Sequence, residues 1–276
     1  MKKDQIINLD CLLGLREIPT ESVDLTVTSP PYDDLRAYNG AIEQWSFEKF
    51  QTIAKELFRV TAMGGVIVWI VNDMTVKGSE TGSSFRQALY FKECGFCLHD
   101  TMIWQKSSPF QNKNRYIPDF EYMFVFSKGT PKTANLIQDR KNKWGGKKIS
   151  GTARQRNGQM KPFSEVQTSK TVKDFGTRYN IWDISAAKNN KTGHPAVFPQ
   201  TLAQDHILSW SNAGDLVLDP FMGSGTTALA AIETGRHYIG FEIDPAYYEI
   251  CQTRIAQVRE ERRKRLFAIL GDENFV

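Results

Sequence analysis

The stretch "LVLDPFMGSGTTALAA", residues 216–231, holds an apolar strand, an acid at its end (Asp219), a turn carrying Gly223 and Gly225, and a helix start at Thr226 and Thr227. Glycines at such a turn let a ligand come close to the backbone, and the helix N-terminus offers unpaired N–H groups to something anionic or polar. The next apolar run ends on Glu242, where a carboxylate can accept hydrogen bonds from both hydroxyls of a ribose. A G-K-[ST] is missing, so this is not a nucleoside-triphosphate loop, and the full G-x-G-x-x-G is not met either. A nucleoside ligand without a pyrophosphate fits better.

Outward from this stretch, continuous apolar runs recur at 5–10, 23–29, 65–73 and 238–244, each followed by turn residues or a helical pattern. Runs of this kind are buried in parallel sheets. Phe47, Phe50, Ile53, Ala54, Leu57 and Phe58 repeat at helical spacing, and the pattern is predicted to stop at Gly64 and Gly65. Further helices are predicted around Leu202–Trp210 and Ala228–Glu233, with a long one from Pro245 to about Leu270. Strands and helices in alternation predict an α/β fold, a doubly wound, mostly parallel Rossmann-like sheet. The aromatic runs "CLHDTMIWQ" and "FEYMFVFSK" suggest an antiparallel hairpin at one edge.

Between residues 129 and 191 the apolar periodicity fails. From Lys128 to Lys191 fifteen Lys or Arg face four acids, a net of +11, so within a chain of net +4 the remainder carries −7. A basic segment on an acidic body suits nucleic acid, because Lys and Arg displace counterions from phosphates; a solvated loop has the same composition. We therefore expect residues 1–128 and 192–276 to form two halves of one domain around a basic insertion. The longest apolar run, Val66–Val71, is too short to cross a bilayer, and the first residues lack a signal peptide's apolar stretch, so a soluble cytoplasmic protein without a membrane partner is expected. Of four cysteines, only Cys94 and Cys97 form a C-x-x-C with no second pair, and neither a metal nor a disulfide is expected.

"TSPPY" (Thr28 to Tyr32) together with "DPFMGSGTT" (Asp219 to Thr227) resembles the S-adenosylmethionine-dependent DNA amino-methyltransferases. The order of catalytic tetrapeptide, basic segment and cofactor loop resembles their beta class. The resemblance implies S-adenosylmethionine as the nucleoside-bearing cofactor and Ser29, Pro30, Pro31 and Tyr32 as the catalytic residues. It also gives Asp10 contact with the cofactor's adenine amino group and places Asp219 and Phe221 around the methionine and nucleoside, with Gly223, Gly225, Thr226 and Glu242 completing the pocket. The lesser alternative for Asp10 is a helix cap or turn former. The segment 194–199 ("HPAVFP") resembles the one that holds the methionine end, although it lacks the lysine many relatives carry there.

The chemistry explains the residue types. An exocyclic amine conjugated to its ring is a poor nucleophile until acceptors bond its hydrogens and favour a pyramidal nitrogen. Ser29 and the Pro30 carbonyl supply acceptors, the prolines stiffen the turn, and Tyr32 offers a stacking face to a base flipped out of the duplex. Asp33, Asp34, Arg36 and Tyr38 come next, either as a loop that can close over the base with Arg36 on a phosphate or, equally, as a solvated loop. Methylation at cytosine C5 needs a thiolate, typically after a proline, and no cysteine here follows one.

Serine at the first tetrapeptide position is commoner among cytosine-N4 enzymes of this family. Site-specific methylation of cytosine N4 in double-stranded DNA is therefore the expected activity, with adenine N6 as the alternative. A nucleic-acid-binding subunit without catalysis is a weaker one, and RNA a further possible substrate. Arg140, Lys141, Lys143, Lys147, Lys148, Arg154 and Arg156 are expected on phosphates, with Asn142, Gln155, Asn157 and Gln159 as candidate base readers. With or without a cognate restriction endonuclease acting on the same site, the chain itself is expected to be a monomer or homodimer.

Overall fold

The computed structural model describes residues 2–31, 45–106, 114–185 and 198–270. Among them an eight-stranded sheet is built from β1 (Gln5–Asn8), β2 (Val23–Thr28), β3 (Thr61–Val71), β4 (Cys97–Gln105), β5 (Phe120–Ser127), β6 (Ile181–Asp183), β7 (Leu216–Asp219) and β8 (His237–Glu242). Its order is β1-β8-β7-β2-β3-β5-β4-β6. Only β5 runs against the others. The two aromatic runs do pair antiparallel, as β4 and β5, but they do not form the edge: β6, from the segment assigned to the insertion, adds parallel to β4.

Six helices pack on this sheet: α1 (Cys11–Arg16), α2 (Phe47–Val60), α3 (Ser83–Glu93), α4 (Gln200–Trp210), α5 (Thr226–Thr234) and α6 (Pro245–Leu270). Side chains alternate across a strand, so Ile67, Trp69 and Val71 of β3 face an aromatic cluster with Phe50 and Phe91, while Val66, Val68 and Ile70 face the other way; all six are buried. Phe50 meets Phe91 edge-on at 5.3 Å and lies 5.8 Å from Trp69, whose indole N–H donates to Gln87 at 2.8 Å. A sheet covered on both faces accounts for strands that read as unbroken apolar runs.

Helix α2 corrects the sequence reading of Gly64 and Gly65. It begins on the Ser46 cap and ends at Val60, where the Thr61 hydroxyl donates to the Leu57 carbonyl, and both glycines lie inside β3. A Cβ on Gly65 would sit 2.8 Å from Thr61, and Gly64 has φ of +74°, so close packing and a left-handed backbone require them. The sequence pattern also missed α1 and α3. Helix α3 buries Ser84 and Gln87 beside Ala88 and Phe91 while exposing Phe85 and Leu89, which blurs its apolar stripe.

Residues Leu136–Tyr179 form a separate compact unit. The chain runs out and back as an antiparallel ribbon: Arg140–Lys141 pairs with Phe175–Gly176, Lys148 bridges Thr171, and Thr152–Arg154 pairs with Met160–Pro162 around a turn at 155–159. No hydrophobic side chain of this unit is buried. Among the described residues no helix is long and apolar enough to cross a membrane.

The aromatic cluster holds α2 and α3 on the sheet. Phe50→Ala is expected to lower the unfolding free energy by about 3–5 kcal/mol, read from urea unfolding followed by circular dichroism.

Candidate active site

In an open α/β sheet, ligands bind beyond the carboxyl ends of the strands where the winding reverses. Here that point lies between β7, which continues through α5 to β8 on one side, and β2, which continues through α2 to β3 on the other. The proline turn and the glycine loop both leave the sheet there. The Thr28 hydroxyl donates to Asp219 Oδ1 at 2.6 Å, and the Phe221 N–H donates to the same oxygen at 3.0 Å. Asp219 is only 1% exposed, and burial pushes its carboxyl up to about 6 although hydrogen bonds from Thr28, Thr227 and the Phe221 backbone favour the ion.

Above this bond opens a cleft whose walls include Ser29 and Pro31 from the end of β2, Phe221, Gly223 and Thr226 from the glycine loop, Glu242 from the end of β8, and Asp10 from the start of α1. Residues nearly 200 apart in sequence thus share one cavity. Pro30 is buried beside it. Asp219 and Gly225 do not line the cleft but build it from beneath. Gly225 has φ of +90°, and a Cβ on it would stand 2.4 Å from the Cys251 sulfur. Tyr32, Asp33, Asp34, Arg36, Tyr38 and His194 lie outside the described residues.

The Glu242 carboxylate accepts the Gly223 N–H at 2.7 Å on one oxygen and the Asp244 N–H at 2.8 Å on the other. Burial raises its pKa, and those two N–H groups oppose the rise. Each oxygen keeps acceptor capacity toward the cleft. Asp10 is a helix cap and a cleft residue together: Oδ1 accepts the Leu12 N–H at 2.8 Å, and Oδ2 pairs with the Lys49 ammonium at 2.9 Å. Burial acts to raise the Asp10 carboxyl, but Lys49 and the Leu12 N–H outweigh it and hold the group below its ordinary range.

Sequence reasoning missed Lys49, the only cation among the cleft's described walls, because it reads as one more solvent-facing residue on an amphipathic helix. It also missed Arg254, which reaches from α6 to the Ser224 hydroxyl at 2.9 Å and its carbonyl, pinning the glycine loop. Among the described walls, three carboxylates, Asp10, Glu242 and Asp244, stand against one ammonium. Together with the first-turn N–H groups of α5, which have no partner within the helix, this donor set suits a ligand with a diol, a purine amine and net positive charge. S-adenosylmethionine is such a molecule.

Residues 23–253 match the family described as DNA methylase, of N6 and N4 specificity. The chain belongs to that family, the S-adenosylmethionine-dependent DNA amino-methyltransferases. It is 57% identical to the orphan methyltransferase M.BamHII of Bacillus amyloliquefaciens over 243 residues, covering 85% of this chain and 89% of that one. It is 30% identical to the DNA adenine methyltransferase YhdJ of Escherichia coli K12, over 91% of this chain and 82% of that protein. Among solved structures, a putative DNA modification methylase of Thermus thermophilus complexed with S-adenosyl-L-methionine superposes with a TM-score of 0.61 at 26% identity, over 92% of this chain and 95% of that one.

The basic residues expected on DNA all fall in the ribbon unit. Lys141, Lys143, Lys147, Lys148, Arg154 and Arg156 are exposed. Arg140 is engaged: its guanidinium donates to the Thr177 carbonyl at 2.9 Å and lies over the Tyr179 ring. Asn142 donates to the Lys173 carbonyl at 2.8 Å, and Asn157 and Gln159 bond each other across the turn.

Because the folded Asp219 carboxyl titrates near 6 and an unfolded one near 3.8, the folded state binds the proton more tightly between those values, and stability falls as pH rises through that window. Asp219→Asn, which keeps the acceptor, is expected to gain stability relative to the native protein by up to about 3 kcal/mol between pH 4 and pH 7, measured by paired urea titrations.

Proposed function

We propose that this DNA methyltransferase acts on the exocyclic N4 of cytosine, flipped from double-stranded DNA into the mouth of the cleft beside Ser29. The observation that carries the reading is the shared cavity: the Ser29-Pro30-Pro31 turn and the Gly223–Glu242 pair wall one space. Ser29 Oγ and the Pro30 carbonyl accept the two amine hydrogens and draw the nitrogen lone pair out of ring conjugation, and the buried proline turn keeps these acceptors from relaxing away. Tyr32 stacks on the flipped base. When bound, S-adenosylmethionine supplies an electrophilic methyl group on a sulfonium sulfur. Glu242 receives the ribose hydroxyls, Asp10 the adenine amino group while Lys49 fixes its carboxylate, and the α5 N-terminus the methionine end.

After transfer the nitrogen loses its extra proton, and no covalent enzyme intermediate is needed. Cys11, on the cleft wall, has its thiol pushed up to about 12 by burial and the neighbouring Asp10 charge, so it packs as a neutral group. Serine at position 29 favours cytosine N4. Adenine N6 is the second reading, supported by the relative named as a DNA adenine methyltransferase. The relative named an orphan methyltransferase favours action without a paired endonuclease. A DNA substrate supports the expected cytoplasmic location.

Nucleosides digested from the DNA of a methylation-free host expressing this chain are expected to contain N4-methylcytosine by mass spectrometry; N6-methyladenine in its place overturns the base assignment. Ser29→Ala is expected to slow methyl transfer about 100-fold or more while cofactor affinity changes little. Gly225→Asp, with its strained φ and its Cβ against Cys251, is expected to abolish cofactor binding in calorimetry.

A further inference from the structure

We propose that the Leu136–Tyr179 ribbon reads DNA with its tip, Arg154, Gln155 and Arg156 entering the major groove, while Lys143 and Lys147 grip the backbone lower on the same limb. The proposal rests on the reading of duplex DNA as the substrate. From residue 140 to 159 the outgoing limb and tip carry seven Lys or Arg and no acid. The returning limb balances its charges more evenly, with Lys161, Lys170, Lys173 and Arg178 against Glu165 and Asp174. The outgoing limb is therefore the one suited to a polyanion.

The hydrogen bonds separate groups that hold the ribbon from groups free to read. At its base, Arg178 pairs with Asp139 and Arg140 bonds the Thr177 carbonyl, and midway Asn142 ties to Lys173. At the tip, the Gln155 N–H donates to the Gln159 carbonyl at 2.7 Å, Gly158 turns the chain with φ of +85°, and the Asn157 and Gln159 side chains lock the turn. These bonds engage three of the four amides expected to read bases. Arg154, Gln155 and Arg156 remain exposed on the locked turn, with no side-chain hydrogen bond among the described residues.

Their chemistry matches base edges. Arg presents a fork to guanine O6 and N7, and Gln a donor and acceptor to adenine N6 and N7. A major groove about 12 Å wide admits a two-stranded ribbon. Lower down, the exposed Trp144 ring gathers the Lys143 and Lys147 ammoniums at 5.4 and 4.5 Å from its centroid, concentrating positive charge without fixing it to a carboxylate. Because the ribbon buries no hydrophobic side chain, its surface is available for contact rather than for packing against itself.

The test uses the full-length protein with a random-sequence duplex library, sequencing the methylated sites and measuring affinity against salt. Thermal shift with S-adenosylmethionine checks that each variant keeps its fold and cofactor cleft. Gln155→Ala is expected to relax the preferred sequence at one position and to weaken specific binding roughly 5- to 150-fold with an unchanged salt slope. The double variant Lys143→Ala/Lys147→Ala is expected to keep the preferred sequence while the salt slope shrinks by about 1 per lysine. If the triple variant Arg154→Ala/Gln155→Ala/Arg156→Ala retains native site preference and affinity, the ribbon proposal alone fails. If the native protein methylates no duplex in the library, the DNA reading itself fails and the proposal with it.

Discussion

A hydrogen bond between Thr28 and Asp219, both fully or almost fully buried, fixes the place where the proline turn and the glycine loop leave the sheet. It joins the last residues of two adjacent parallel strands, β2 and β7, at the reversal point of the sheet. The segments leaving the two strands are then no longer independent: the Ser29-Pro30-Pro31 turn departs from one side of the bond and the Pro220-Phe221 loop from the other. Asp219 also receives the Phe221 N–H, so the same carboxylate sets the first step of the glycine loop. Burying a carboxylate this deeply is unfavourable, which its raised pKa records, and the donors around it offset only part of that cost. The same carboxylate thus anchors the start of two segments at once.

Around this bond, rigidity and charge have separate sources. The glycine loop is held from behind by α6, with Cys251 packed where Gly225 lacks a side chain and Arg254 bonded to Ser224. Its front is held by Glu242, which accepts the Gly223 N–H while still facing the cleft. The described walls of the cleft carry more acids than bases, whereas the ribbon surface is basic, so on the proposed reading the two divide the chain's charges between a cationic cofactor and a polyanionic substrate.

The sequence showed much of this architecture because the informative segments sit where periodicity and composition are strong. Strands buried on both faces read as unbroken apolar runs, and the glycine loop carried its own turn chemistry. The elements that escaped reading have physical reasons. Helix α3 turns polar Ser84 and Gln87 inward beside Ala88 and Phe91 and apolar Phe85 and Leu89 outward, so its buried face does not read as an apolar stripe. Gly64 and Gly65 look like a helix stop but serve close packing at the start of β3. Strand β6 is three residues long and sits in a polar segment, and the ribbon is paired through its backbone, to which side-chain patterns are blind. Lys49 gained its place from the fold alone, through the ion pair it makes with Asp10.

The central claim is that one buried hydrogen bond couples the proposed catalytic turn to the proposed cofactor loop, and Thr28→Val tests it most directly. Valine keeps the shape and removes the hydroxyl, so a single preparation can be followed by calorimetry for S-adenosylmethionine affinity and by single-turnover methylation for chemistry. A hydrogen bond to a charged group is worth about 1.5–3 kcal/mol. A folded Thr28→Val protein is therefore expected to lose cofactor affinity and methyl-transfer rate together, each by roughly ten- to a hundredfold. A folded variant that keeps both at native values would contradict the account, because the two motifs would then hold their places without the bond between them.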